Sequence, residues 1–438
     1  MTVLIAGAGI GGLTLALSLQ QVGVPFRIFE AMHRIRPLGV GICLQPNAVR
    51  EFADLGLGEK LEARGLPIDE LCYLTRHGQT IWSQTRGRDA GYHWPQYAMH
   101  RGTLQMLLAE TLTRRCGGDV VETGRVVAGW RDGPEGVELR FAASAGGNTE
   151  GGVHGRVLVA ADGVNSVLRR LLYPDEGGPR WNGNMLWRGV SPAASGPGTR
   201  RMLVAGDRRR KIVTYPVPDR AGTGTMVNWI ASLRVADDHP PKPQNWHRRG
   251  RAEDFLPAFR DWVFDGLDVP AMVGAAKRIF EYPEIDRDPL PQWSFGRVTM
   301  IGDAAHAMYP NGTNGASQSI LDARYLAREL RDKGGGAAAL DSYDLLRREV
   351  VNALLLMNRK DGPDRILDIV AERAPDGFED IAQVMPEAEL RAFADRYRRV
   401  EGAEIRGLNA ASPLIGPAEP PAPARGEPAR RSGFDPGA

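Results

Sequence analysis

Cysteine is scarce, with three residues in a chain of 438. Cys43, Cys72 and Cys116 offer no close-spaced pair that could seat zinc, and an odd, sparse set is no disulfide framework. The expectation is therefore no metal site and a reducing, cytoplasmic setting. Long apolar runs are missing too. The N-terminal stretch is broken by glycines and has no basic leader, and no later stretch reaches the roughly 20 apolar residues of a membrane helix. Nor is there an excess of one charge. The 55 basic and 53 acidic residues leave a net charge of +2, without the basic surplus that a nucleic-acid-binding face requires. No internal repeat is visible. What is present is a 42% hydrophobic, 25% charged chain, able to bury a large core and long enough for two lobes.

The order of patterns predicts an α/β (α+β) protein, with a Rossmann-like domain interrupted by a sheet-based domain and followed by C-terminal helices. Thr2 to Ala6 reads as a buried strand. The turn GAGIGG follows, then an apolar helix, then the strand VPFRIFE ending in Glu30, which together make one βαβ unit. Leu38 to Gln45 reads as extended, and Pro46 opens a helix. A strand pair turns at His77-Gly78, a helix covers Thr103 to Cys116, and two antiparallel strands fill Arg125 to Ala142. Val157 to Ala161 is a continuous apolar run of the kind parallel sheets bury. The texture changes between Trp181 and Tyr282, where strand-like, aromatic-rich segments dominate. The buried-strand pattern returns at Arg297. The first lobe is thus expected over 1–70, 101–180 and 286–365, the sheet domain over 71–100 and 181–285, and helices over 366–411. From 412 to 438 the chain is rich in Pro, Ala, Gly and Arg, too poor in large apolar groups to offset its ordering entropy, and reads as a disordered tail.

Three motifs carry chemistry. Gly7, Gly9 and Gly12 stand between strand and helix. They supply in turn the tight turn, the open approach for a pyrophosphate and the close helix–strand packing. The helix start adds free amides and partial positive charge, and Glu30 is placed to accept from ribose hydroxyls. A lone glycine pattern is weak; strand, helix and terminal acid in place strengthen it. In the second motif, GRVTMIGDAAHAMYPNGTNGASQSILDA, Asp303 ends a buried strand, where open α/β sheets bind ligands. The loop Pro310 to Gly315 offers amides at a helix start, suited to the negative charge of a reduced flavin; the plainer reading is a helix-capping loop. The third, VLVAADGVNSVLRR, sets Asp162-Gly163 before Ser166 and Arg169. On chemistry alone it reads equally as an Asx-type turn with a solvated arginine.

Together these residues resemble the signatures of the single-component, FAD-dependent aromatic hydroxylases, the p-hydroxybenzoate hydroxylase-like class. Arg101, in HRGTLQMLL, is similar to the arginine that class sets against the flavin. The resemblance runs from about Thr2 to Arg359. Within the class the chain is similar to the phenazine-pathway branch that hydroxylates 5-methylphenazine-1-carboxylate, through IRPLGVGI, PQYAMHRGTLQM, MLWRGV, YPEIDRDPLPQW and MYPNGTNGASQSILDA. Two departures stand out. Ala31 follows Glu30 where many relatives have arginine, which leaves the nicotinamide preference open. Ala307-Met308 follows His306 where many have proline.

The resemblance implies FAD held by Gly7, Gly9, Gly12, Glu30, Gly41, Arg101, Asp162, Asp303 and Gly315, with Pro310, Gly312 and Asn314 positioning the flavin loop. It implies NAD(P)H as a transient co-substrate, since only one glycine fingerprint is present. It also implies O2 activated as a C4a-hydroperoxyflavin, with one oxygen entering an aromatic ring and, in the phenazine branch, loss of the ring carboxylate. For the ring, Trp187, Arg188, Tyr215 and Pro310 are the candidates, then Trp229 and Val227. Aromatics can stack on a flat substrate and an arginine can pair with its carboxylate. Taken singly, Trp187, Tyr215 and Trp229 read as well as sheet core. Arg188 on an apolar strand is harder to place in a core. His306 invites a general-base reading but resembles a structural position of the class. The chain is expected as a monomer or homodimer. Competing readings are a halogenase, for which the Trp-x-Trp-x-Ile-Pro stretch is missing, a reductase or dehydrogenase without oxygen insertion, a hydroxylase of another aromatic or polyketide, and a binding protein without turnover.

Overall fold

The computed structural model describes residues 2–37, 40–118, 120–142, 152–193, 200–219, 224–235, 248–264, 266–360 and 362–416. Most of the expected tail, 417–438, lies outside the described residues, as do Leu38 and Gly39 of the expected extended segment.

Strand Val3–Ala6 is buried at every position and runs parallel to Phe26–Glu30 on one side and Val157–Ala160 on the other. Val121–Thr123 and Val298–Met300 extend this sheet in parallel, and Ser294–Phe295 adds an antiparallel edge. Residues far apart in sequence thus share one sheet, and the expected return of the chain at Arg297 takes physical form. Helix Ile10–Gln21 is buried almost all round. Its two hydroxyl residues fold back on the helix, Thr14 Oγ1 donating to the Ile10 carbonyl at 2.7 Å and Ser18 Oγ to the Thr14 carbonyl at 2.8 Å. This is the usual way a hydroxyl is satisfied inside a helix. Helix Gly315–Asp332 packs its apolar face on the same core. Its Arg324, fully buried, donates to Glu51, Asp54 and the Gln21 side chain, so the helices Pro46–Asp54 and Ile10–Gln21 are both pinned to one guanidinium.

The second layer is a seven-stranded sheet. Its order is Ile279–Asp286, Arg180–Pro192, Thr225–Arg234, Arg210–Pro218, Arg201–Gly206, Glu70–Leu74 and Thr80–Thr85. All neighbours are antiparallel except Arg201–Gly206 with Glu70–Leu74. Strand Gln96–His100 does not join this sheet; it pairs with Gly41–Leu44 and Leu66–Ile68 in a small sheet of its own. Four short helices, Arg365–Arg373, Ile381–Val384, Glu387–Val400 and Ile405–Ala410, follow. The chain then returns to the first layer, where Leu414 N donates to Glu51 and the Gly416 carbonyl accepts from Gln21 at 2.9 Å. Among the described residues no helix is long and apolar enough to cross a membrane.

Candidate active site

The glycine turn is built as its spacing requires. Gly7 has φ +109°, and a side chain there would overlap the Ala161 carbonyl. A side chain on Gly12 would overlap the Gly7 carbonyl, so the first turn of the helix sits hard against the strand exit. Gly9 faces open space, with nothing within 4 Å of a Cβ built on it. No side chain caps Ile10–Gln21, which leaves its first amides free for a ligand. Glu30 holds the turn from the next strand. Its Oε2 accepts from Ala8 N and its Oε1 from Met32 N, each at 2.9 Å.

Asp162 accepts from Val167 N at 2.9 Å through one oxygen, while the other is buried with no partner among the described residues. Burial pushes its carboxyl above the usual range. An orphaned acceptor of this kind calls for a donor that a ligand can bring. Ser166 caps the helix that follows, accepting from Arg169 N at 2.9 Å. Arg169 is not solvated. It is fully buried and donates to the Ala304 and Ala305 carbonyls at 3.1 and 2.8 Å, tying the Asp162 segment to the short helix Asp303–His306.

Asp303 itself is exposed at the start of that helix, facing the main cavity. His306 lies beneath, fully buried and off the cavity wall. Its Nε2 meets Asp322 Oδ2 at 2.5 Å, and Asp322 also accepts from Arg347 Nε at 2.9 Å and Gly302 N at 3.0 Å. Burial raises the Asp322 carboxyl, but His306 and Arg347 outweigh it and hold it below its ordinary range. This is a buried brace under Gly302-Asp303.

The loop Pro310 to Gly315 is strained in a specific way. Thr313 has φ +56° and is the one non-glycine residue with positive φ among those described. For a β-branched side chain that is costly, and such strain collects at functional sites. Gln45 Nε2 holds it in place, donating to Thr313 Oγ1 at 3.0 Å and the Gly312 carbonyl at 3.2 Å. Asn314 anchors the loop through its amide, donating to Glu401 Oε2 at 2.6 Å and Tyr397 Oη at 3.1 Å. No side chain caps helix Gly315–Asp332, so its leading amides stay free beside Asp303.

A cavity of about 340 Å³ joins these parts to the second sheet. Gly9, Gly41, Arg101 and Asp303 line it on one side, as do Pro310, Gly312, Asn314 and Gly315. The sheet supplies an apolar wall of Leu71, Leu186, Met202, Val204, Val213 and Ile230, with Arg188 and Tyr215 among them. Gly7, Gly12, Glu30 and Asp162 are not in this wall; they build the glycine turn and the strand ends next to Gly9 and Gly163, which are.

Trp187 and Trp229 require correction. Side chains alternate along a strand. With Leu186 and Arg188 on the cavity face, Trp187 faces the other way, where it stacks on Phe255 at 4.9 Å. Trp229, opposite in phase to Ile230, is packed with Phe255 too, and its Nε1 donates to Ser191 Oγ at 2.9 Å. Val227 belongs to the same outer cluster. These three are core, not substrate contacts.

The polar end of the chamber centres on Gly41. Its N–H donates to Asn228 Oδ1 at 2.7 Å, and its carbonyl accepts from Arg188 at 3.1 Å. Arg188 Nε is buried without a partner among the described residues. Burial pushes the Cys43 thiol up to about 12, against the opposing pull of Arg188 and Arg86, and raises the Tyr215 phenol further. Both therefore stay protonated at neutral pH. Cys43, Arg86, Asn228 and Lys211 are cavity or chamber residues that no sequence motif marked. Lys211 Nζ donates to Asn311 at 2.9 Å and to Asp364 at 2.6 Å. Tyr397 and Glu401 also escaped notice, because their contacts with the flavin loop cross more than 80 residues of sequence.

The FAD binding domain family matches residues 1–244 and 284–357. A phenazine 1,6-dicarboxylic acid hydroxylase of Lysobacter antibioticus is 40% identical over 90% of this chain and 97% of its own length. The chain belongs to the FAD-dependent aromatic hydroxylases. An aurachin C monooxygenase/isomerase of Stigmatella aurantiaca is 34% identical over 80% of the chain and 86% of its own length. Among solved structures, a salicylate hydroxylase substrate complex superposes with a TM-score of 0.71 at 22% identity, covering 94% of this chain and 98% of that one. At that identity the likeness speaks for the fold, and the fold of the hydroxylase is the one its sequence predicts. FAD is its cofactor, and the uncapped helix start, the open side of Gly9 and the orphaned Asp162 oxygen fit such a group.

Proposed function

We propose that this hydroxylase uses NAD(P)H and O2 to insert one oxygen atom into a planar aromatic carboxylate of the phenazine-carboxylate type. The observation that carries the reading is Arg188, a guanidinium on the apolar wall, bonded to the Gly41 carbonyl and left with a buried, unpartnered Nε. An arginine stays charged at any working pH. A buried charge without a partner is costly, and a ring carboxylate would supply the partner. The relative named for a phenazine dicarboxylate supports the same substrate class.

When bound, FAD supplies the electron transfer from NAD(P)H and the activation of O2. The chain's own residues do the rest. Gly7, Gly9 and Gly12 with the helix start would hold the pyrophosphate. Glu30 would take the ribose, and Asp162 and Asp303 would bind donors of the cofactor's central chain. The free amides at Gly315, held by Pro310, Gly312 and Asn314, would face the flavin ring, with Arg101 and Gly41 lining the same cavity. The apolar wall excludes water and lays the substrate ring flat. Tyr215, protonated, offers a hydroxyl donor rather than a base. Loss of the carboxylate on hydroxylation, as the phenazine branch implies, would follow only where the ring carbon attacked is the one bearing it.

The test is NAD(P)H oxidation by the FAD-loaded protein with a panel of aromatic acids, with products read by mass spectrometry. Stimulated oxidation with a product one oxygen heavier, or with hydroxyl in place of carboxylate, supports the reading. Stimulated oxidation with no oxygen in the product would instead favour a reductase or dehydrogenase.

A further inference from the structure

The chamber holds a second guanidinium that the reading above does not use. Arg86 follows strand Thr80–Thr85 and lines the same cavity. Its backbone N is tied to the Asp69 carbonyl at 2.6 Å, and Gly87 behind it, at φ +54°, has no room for a side chain against Gln96 N. The segment is therefore fixed, and the side chain issues from a fixed point. Its Nε is buried with no partner among the described residues, as is that of Arg188. Both arginines share the cavity with Cys43 and pull its thiol down against the upward push of burial.

The acidic groups nearby are otherwise engaged. Asp364 takes Lys211 at 2.6 Å, Glu284 accepts from Asn184 at 3.0 Å, and Glu401 accepts from Asn314 at 2.6 Å. Arg86 acts on Glu401 through space, yet burial pushes that carboxyl upward, which weakens it as a counter-charge. Two half-buried guanidiniums on one mainly apolar chamber, each with a buried, unpartnered Nε and neither with an ion-pair partner among the described residues, suit a ligand that brings two negative charges.

Resting on the proposed hydroxylase function, we propose that the substrate carries two acidic groups: Arg188 takes one carboxylate and Arg86 takes the second, so that Arg86 selects planar aromatic dicarboxylates over monocarboxylates. Arg86 is a specificity residue. It binds the far end of the ring and takes no part in oxygen transfer.

The test uses FAD-loaded wild type with Arg86→Met, Arg86→Lys and Arg188→Met, titrated with phenazine-1,6-dicarboxylate and phenazine-1-carboxylate by flavin absorbance. Loss of one charge-assisted pair predicts that Arg86→Met raises Kd for the dicarboxylate by roughly 10- to 100-fold and leaves the monocarboxylate within about twofold. Arg86→Lys should keep most of the preference, and it decides the matter if the methionine variant does not fold. Arg188→Met should weaken both ligands. Equal weakening of both ligands by Arg86→Met, or no change in either, overturns the assignment. A loss of FAD in step with the loss of ligand also overturns it, since Arg86 would then serve the flavin loop through Glu401. If wild type retains FAD yet binds neither acid, it is the underlying functional reading that fails.

Discussion

Gly41 and Tyr215 meet so closely that a Cβ on the glycine would lie 2.6 Å from Tyr215 Cε2 and 2.7 Å from Asn228 Cγ. Both neighbours are buried, so neither can swing clear. Gly41→Ala is expected to push Tyr215 into the chamber and to loosen the bonds that the Gly41 backbone makes to Asn228 and Arg188. Overpacking of this kind costs about 1–3 kcal/mol, which, if it falls on the bound state, corresponds to roughly a 5- to 150-fold rise in Kd for an aromatic acid. Titration of the FAD-loaded variant checks this; unchanged substrate affinity would remove Gly41 from the chamber's function.

The two tryptophans separate packing from recognition. Trp187 is 3% exposed and stacked on Phe255, on the face of the sheet opposite the chamber. Trp187→Ala should destabilise the protein by about 3–5 kcal/mol, seen as a lower melting temperature. Substrate Kd, measured well below the melt, should stay within about twofold, since no chamber atom is removed. A selective loss of substrate binding at unchanged stability would return Trp187 to the site.

These tryptophans also mark what sequence can and cannot reveal here. The cofactor lobe was legible because its signals are local. A glycine needed for φ +109° at Gly7, and a strand buried at all of its positions from Val3 to Ala6, announce themselves within a few residues. The substrate wall was legible only in part. Arg188 stood out because a charge on an apolar strand demands an explanation, but the two faces of that strand are both apolar, so Leu186 and Trp187 could not be told apart by pattern. Period 2 says that they differ; only the tertiary fold says which one faces the chamber. Arg86 and Glu401 had no signal at all. Each acquires its meaning from partners that the chain brings from over 80 residues away.

Glu401 predicts a pH effect. Its carboxyl is buried and raised above 4.5, burial outweighing the Asn314 bond and the charges of Arg86 and Arg398. A carboxyl whose folded value is raised stabilises the fold fully below its unfolded value, and that stability is lost as pH rises through the folded value. Glu401→Gln cannot ionise. The melting temperature of the variant relative to wild type should therefore rise from about pH 4.5 upward and level off above the raised value. A difference that stays flat between pH 4.5 and 8 would show that Glu401 is not raised. The brace at Asp322 has the opposite sign. Its carboxyl is held low by His306 and Arg347, so its contribution is present above the ordinary range and fades only as pH falls below about 4.

Tyr397 reaches the flavin loop from the last helices. Its hydroxyl accepts from Asn314 at 3.1 Å and lies 3.0 Å from Asn358 Oδ1, where it can donate. A side chain on Gly312 would overlap that same oxygen, and Gly312 sits at φ +73°. Two costs are therefore combined in Gly312→Ala: the left-handed backbone, about 1–2 kcal/mol, and the collision with Tyr397. Tyr397→Phe alone leaves Asn358 Oδ1 short of a donor, about 1–3 kcal/mol. In Gly312→Ala/Tyr397→Phe the collision disappears while the backbone term remains. The double variant should then lose less stability, and less FAD affinity, than the sum of the single variants by about 1 kcal/mol or more. Thermal melts and FAD titrations of all four proteins close the cycle. Strict additivity would mean that the two residues do not meet at the loop, and that the C-terminal helices do not set its shape.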